Sequence, residues 1–158
     1  MGLRTILKGG DPALRKPSRD VTNFDKRLHI LLDDLAETLE HAKGAGLAAP
    51  QVGVLRRVCF INIEEPIELC NPRIVSREGE QEGAEGCLSV PGKTGIVKRP
   101  DKVVVEAQDR YGKRFTVEGE GFLARAFCHE IDHLDGVLYT DIMERFMTME
   151  EIAELDKT

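Results

Sequence analysis

The stretch Cys128-His129-Glu130-Ile131-Asp132-His133-Leu134-Asp135-Gly136 decides how the rest of the chain is read. On a helix, His129 and His133 sit four residues apart on one face, about one turn from each other, so both imidazoles can reach a single divalent ion with Glu130 beside it. Placing residues 122 to 135 at about 100° per residue sorts them into three stripes. Phe122, Ala126, His129, Glu130 and His133 share one; Leu123, Phe127, Ile131 and Leu134 form an apolar one; Arg125, Cys128, Asp132 and Asp135 make the third. The histidine stripe thus runs past Phe122 and Ala126, which makes these two the candidates for lining a small apolar pocket at the edge of the metal. Asp132, with Arg99, is a candidate for orienting a ligand from behind, with a solvated helix face as the plainer alternative.

Upstream of this helix, Val103–Gln108 and Arg114–Val117 read as a hairpin across Asp109-Arg110-Tyr111-Gly112-Lys113. Further strand-like runs cover Arg57–Ile63 and Ile67–Val75, the latter interrupted by Asn71-Pro72. Glu78–Gly86 is acidic and Gly-bearing and reads as a loop that delivers Glu85-Gly86-Cys87-Leu88-Ser89. Nearer the N-terminus, Phe24, Leu28, Leu31, Leu32, Leu35, Leu39 and Ala42 recur at helical spacing, with Thr22 or Asn23 as the cap and Gly44 as the stop. His29 and His41 on that helix have no ligand partners in the pattern and read as surface or structural histidines. Asp11-Pro12 opens a short helical turn. Gly44–Gly53 is dominated by small residues, which let a backbone approach a ligand closely, and Gln51 is its one long polar side chain.

The 158 residues fit a single domain, 1–158, able to bury roughly two-thirds of its unfolded surface. The formal net charge of −6, with no Lys/Arg block, argues against a nucleic-acid surface. No segment approaches membrane-spanning length and the first residues have no apolar signal region, so a cytoplasmic protein is expected. The myristoylation pattern beginning at Gly2 fails at Ile6. Cys59, Cys70, Cys87 and Cys128 show no paired spacing and suit reduced thiols.

Two histidines leave a catalytic site one ligand short, because such a centre usually takes three protein ligands and keeps a position open. The metzincin continuation of the motif places Gly136 correctly but meets Tyr139 where its third histidine belongs. A thermolysin-like glutamate would have to come from Glu150, Glu151 or Glu154, in a tail with little chain left to build a helix. Cys87 remains, a thiol suited to iron or zinc beside a flexible glycine, although a free cysteine is most often a buried structural residue.

Three blocks taken together, Gly44-Ala45-Gly46-Leu47-Ala48-Ala49-Pro50-Gln51, Glu85-Gly86-Cys87-Leu88-Ser89 and His129-Glu130-Ile131-Asp132-His133-Leu134, closely resemble the three motifs of the peptide deformylases, and the resemblance spans essentially the whole chain. It implies an α+β fold with β-sheets around a central metal-binding HExxH helix and a long N-terminal helix. It also implies that Cys87, His129 and His133 hold the metal, Fe2+ in the cell with Zn2+, Ni2+ or Co2+ able to substitute. Glu130 would be the general acid/base, Gln51 and the Leu88 N–H would bind the substrate carbonyl oxygen, and Gly46 would help position the substrate backbone. Ala45, Phe122 and Ala126 complete the candidate substrate contacts. The implied reaction releases formate from N-formylmethionyl nascent peptides, with transient ribosome association among the implied partners, no direct nucleic acid and no membrane. Where many members have glutamine before the first histidine this chain has Cys128, and its tail after Ile142 is short and not basic. The alternatives are a zinc endopeptidase and a catalytically idle homologue that only binds formyl peptides.

Overall fold

The structure, a computed structural model, describes residues 2–156. Pro12–Arg15 form a short 3-10 turn whose Asp11 carboxylate accepts the Ala13 N–H at 2.9 Å. Helix α1, Lys26–Ala42, buries Leu28, Leu31, Leu32, Leu35 and Leu39 on the face expected from their spacing. Its ends differ from the expectation. The cap is Asp25, which accepts the Leu28 N–H, rather than Thr22 or Asn23, and the left-handed C-terminal residue is Lys43 at φ 57°, rather than Gly44. Gly44 is used instead for close packing, since a Cβ there would lie 2.8 Å from Leu88 Cδ1.

The chain then builds two antiparallel sheets. Strands β1 (Gly46–Ala48), β2 (Val58–Asn62), β3 (Pro66–Glu78), β6 (Lys102–Gln108) and β7 (Arg114–Glu120) form one, in the order β1-β2-β3-β6-β7. Strands β4 (Gln81–Cys87), β5 (Val90–Arg99) and β8 (Arg145–Phe146) form the other, in the order β4-β5-β8. The β6–β7 hairpin has the expected register, Gln108 opposite Arg114. Asn71-Pro72 does not end β3; the ladder to β6 skips between Cys70 and Arg73, and Asn71 adopts φ 51°. A bulge of this kind accommodates a proline, which has no N–H to give to a ladder.

Residues 81–86 are a correction. They are strand, not loop, so Cys87 sits at the end of a hairpin rather than on a free segment. The acidic, glycine-bearing composition hid the strand because its pairing to β5 does not depend on an alternating apolar face. The tail is also more structured than expected: α3 spans Met149–Asp156 after β8.

Helix α2, Phe122–Leu134, packs on β1, β2, β6 and β7 of the larger sheet and touches β5 of the smaller one. Ala124, Phe127, Cys128, Ile131 and Leu134 enter an apolar cluster with Ala48, Cys59, Ile61, Leu69, Val103 and Val105. The opposite face of that sheet packs against α1, with Leu47, Val58 and Phe60 joining its leucines. The three α-helices and antiparallel sheets give the α+β content expected from the sequence. Beyond α2, Gly136 turns the chain at φ 76°, and a Cβ there would lie 2.6 Å from the Arg15 carbonyl oxygen. Gly136→Ala should therefore lower the unfolding free energy by about 1–3 kcal/mol. In urea titrations, Gly10→Ala, at a site with nothing within 4 Å, should cost much less.

Candidate metal centre

Strand β4 and helix α2 bring three ligand atoms together. Cys87 Sγ lies 3.3 Å from His133 Nε2, which lies 3.2 Å from His129 Nε2, and one ligand atom from each residue falls within 4.8 Å of the others. The two rings cross edge to face at 75°. His129 Nδ1 is 2.6 Å from Glu85 Oε2, and an ionised carboxylate only accepts, so the ring proton belongs on Nδ1 and the Nε2 lone pair points into the cluster. A sulfur and two ring nitrogens converging in this way, lone pair towards lone pair, suit a shared cation of the class bound by nitrogen and sulfur donors. The residues present therefore fit a divalent metal.

Glu85 is buried in a charge network that ties β4 and β5 of the smaller sheet to α2. Arg99 grips it in two places, Nε to Oε1 at 3.0 Å and Nη2 to Oε2 at 2.6 Å, and Arg125 Nη1 adds a third contact at 2.9 Å. Arg99 Nη1 also reaches Asp132 Oδ2 at 2.7 Å. Two guanidiniums thus face two carboxylates. Burial by itself would raise the Glu85 carboxyl, but hydrogen bonds from His129 and Arg99 outweigh it and bring the value down from 4.5 to about 2. Glu85 is the functional residue the sequence reading missed; it appeared only as the letter before Gly86-Cys87. Asp132 does pair with Arg99 as weighed, but the carboxylate on the histidine is Glu85's.

Glu130 is the other buried acid. Burial pushes its carboxyl up from 4.5 to about 7, with His129 opposing. Its Oε1 has no hydrogen-bond partner among the described residues. The small-residue run explains how it fits: a Cβ on Gly46 would lie 2.7 Å from Glu130 Oε2, so only glycine lets β1 come this close. Gln51 is buried and fixed at both ends. Its Oε1 accepts the Ala48 N–H at 2.9 Å, and its Nε2 is 3.1 Å from Ser89 Oγ and 3.6 Å from Cys87 Sγ. The Ser89 N–H also points at that sulfur, at 3.4 Å.

A pocket of about 480 Å³ opens beside the cluster. Ala45, Gly46, Gln51, Cys87, Leu88, Phe122, Ala126, His129 and Glu130 all line it, so every candidate metal ligand, catalytic group and substrate contact except His133 faces this space, and His133 completes the metal cluster. Phe122 is 59% exposed and forms its outer wall; Ala126 is buried. Cys128 lies in the apolar core on the far side of α2. Tyr139, at the position that disfavours the metzincin pattern, is buried and stacks on the His129 ring at 6.1 Å. Glu151 of the tail pairs with Arg145 at 2.7 Å, on the exposed surface. His29 bonds the Arg110 carbonyl at 2.8 Å, as a structural histidine would.

The chain matches the family model described as polypeptide deformylase over residues 3–148. A peptide deformylase of Acetivibrio thermocellus is 56% identical over 153 residues, covering 96% of this chain and 90% of its own length. The crystal structure of a peptide deformylase from Legionella pneumophila superposes with a TM-score of 0.87 at 43% identity, covering 98% of this chain and 92% of that one. One from Synechococcus elongatus, in complex with actinonin, gives 0.87 at 38% identity, covering 98% and 85%.

Glu85→Gln keeps the shape but loses the charge that orients His129. We expect its affinity for a divalent metal to fall about 10–100-fold in chelator competition. Because the folded value of Glu85 lies below 4.5, its contribution to stability is present above that pH and lost as pH falls towards about 2. Urea midpoints of wild type and Glu85→Gln should therefore converge on acidification through that window.

Proposed function

The chain belongs to the polypeptide deformylase family, and from that premise we propose how its own residues carry out the reaction. The enzyme is a metal-dependent hydrolase that removes the formyl group from the N-terminal formyl-methionine of nascent polypeptides and releases formate. Cys87, His129 and His133 are the proposed ligands, on α2 and the end of β4, and the observation that carries this reading is the convergence of their three donor atoms. The metal is proposed to be Fe2+, and when bound it supplies a Lewis-acid centre that activates water and polarises the formyl carbonyl. The chain 1–158 acts as one catalytic domain, with its sheets arranged about α2.

Glu130 is the proton carrier. A carboxyl held near neutrality accepts a proton from the attacking water and later returns it to the departing amine, which a carboxylate at its ordinary value would do less readily. Gln51 Nε2 and the Leu88 N–H, on two residues that line the pocket, are the proposed donors to the formyl oxygen as it gathers charge, and each such donor is worth about 3 kcal/mol in the transition state. Gln51 arrives already oriented, because the Ala48 N–H holds its carbonyl end. Ala45 and Gly46 offer backbone to the substrate, and Phe122 and Ala126 receive the methionine side chain. A formyl group is small, so these walls exclude bulkier acyl groups by shape. Among the described residues no helix is long and apolar enough to cross a membrane. Acting on nascent chains, the enzyme works in the cytoplasm.

Formate release from a formyl-Met peptide by protein purified without oxygen tests the assignment. Glu130→Ala should keep its metal, counted by elemental analysis, while kcat falls by orders of magnitude; near-normal turnover would remove Glu130 from the role. The iron form should lose activity in air as Cys87 oxidises, whereas a nickel-loaded form should not. Parallel decay of both forms would argue against iron.

A further inference from the structure

We infer that Lys8 and Lys93 form a cationic rim on the substrate pocket that favours formyl-methionyl peptides with acidic side chains in the first residues after the methionine. This rests on the deformylase reading of the site. The pocket is lined by six ionisable side chains besides Cys87, and four of them, Glu85, Arg125, His129 and Glu130, are buried in its floor. The other two, Lys8 and Lys93, are exposed at its mouth. No exposed acidic side chain joins them on the lining, although the chain as a whole carries −6.

Both ammonium groups are held in place. The segment carrying Lys8 is fastened on either side, by the Leu7 N–H to the Gln51 carbonyl at 2.7 Å and the Gly9 N–H to the Ser89 carbonyl at 2.8 Å. Lys8 Nζ then donates to the Leu88 carbonyl at 3.2 Å, on a residue that itself lines the pocket. Lys93 Nζ sits 4.8 Å from the centre of the Phe146 ring, which leaves its charge uncompensated. Elsewhere on the same two sheets, Lys98 pairs with Glu144 and Lys102 with Glu118 and Glu120. Lys8 and Lys93 have no such carboxylate partner among the described residues.

The substrate's chemistry makes this count. Formylation removes the charge of the peptide amino terminus, so the reacting end brings no cation for the rim to repel. The charges it can sense are the side chains that follow, and an extended peptide advances about 3.3 Å per residue, so the first few must pass the mouth. A rim interaction of this kind is present in ground and transition states alike, and it should act through KM and through the encounter rate rather than through kcat.

The test uses the metal-loaded enzyme and three amidated peptides, formyl-Met-Ala-Glu-Ala, formyl-Met-Ala-Gln-Ala and formyl-Met-Ala-Lys-Ala, read by formate release. We expect kcat/KM to favour the Glu over the Lys peptide by about three- to tenfold at low salt, through KM, with the ratio approaching one at about 0.5 M NaCl. The double variant Lys8→Gln/Lys93→Gln should abolish the ratio, and Lys8→Glu/Lys93→Glu should invert it. Equal use of the Glu and Lys peptides by the wild type, or a preference that survives both double variants, overturns the rim. Formate from none of the three peptides overturns the deformylase reading and the rim with it.

Discussion

The site depends on one buried carboxylate. Glu85 touches His129, Arg99 and Arg125 at once, and Arg99 passes the connection on to Asp132. Carboxylates and guanidiniums are expensive to take out of water, and removing one member of a buried pair typically costs about 3–5 kcal/mol because the other is left uncompensated. The balance of two positive and two negative groups is what lets β4, β5 and α2 meet here. The same contact fixes the tautomer of His129, so the device that holds the sheet to the helix also aims the ring nitrogen.

Around that fixed point, the catalytic groups are placed by how closely the backbones approach. Gly46 lets β1 lie against Glu130, and Gly44 leaves room for Leu88. The resulting crowding strips water from Glu130 and raises its carboxyl towards neutrality, while the hydrogen bonds on Glu85 drive its carboxyl the other way. Two glutamates on neighbouring elements thus end up with opposite tasks. The ionised one orients, and the one near neutrality can exchange a proton. What separates them is the number of cationic donors each receives, since both are buried.

The pocket joins this interior to solvent in a graded way. Its floor is charged but internally compensated, its wall is apolar at Phe122 and Ala126, and its mouth carries unpaired lysines. A formylated methionine suits the first two zones, being neutral at its end and apolar in its side chain.

Much was legible in the sequence because it depends on local periodicity. The spacing of His129, Glu130 and His133 is enough to place them on one helical face, the leucines of α1 announce their own buried side, and the β6–β7 hairpin follows from its turn. The three motif blocks carried the family resemblance, and with it Cys87. The tertiary structure decided what depends on distance between elements. That β4 is a strand could not be read from residues 81–86, whose polar composition satisfies its pairing through backbone groups alone. Nor could Glu85 be singled out, because its meaning lies in Arg99, Arg125 and His129, which are 14, 40 and 44 residues away in the chain. Sequence fixes which side chains share a face, through the geometry of a single element; only packing decides which charges share a hydrogen bond, because that requires two elements to meet.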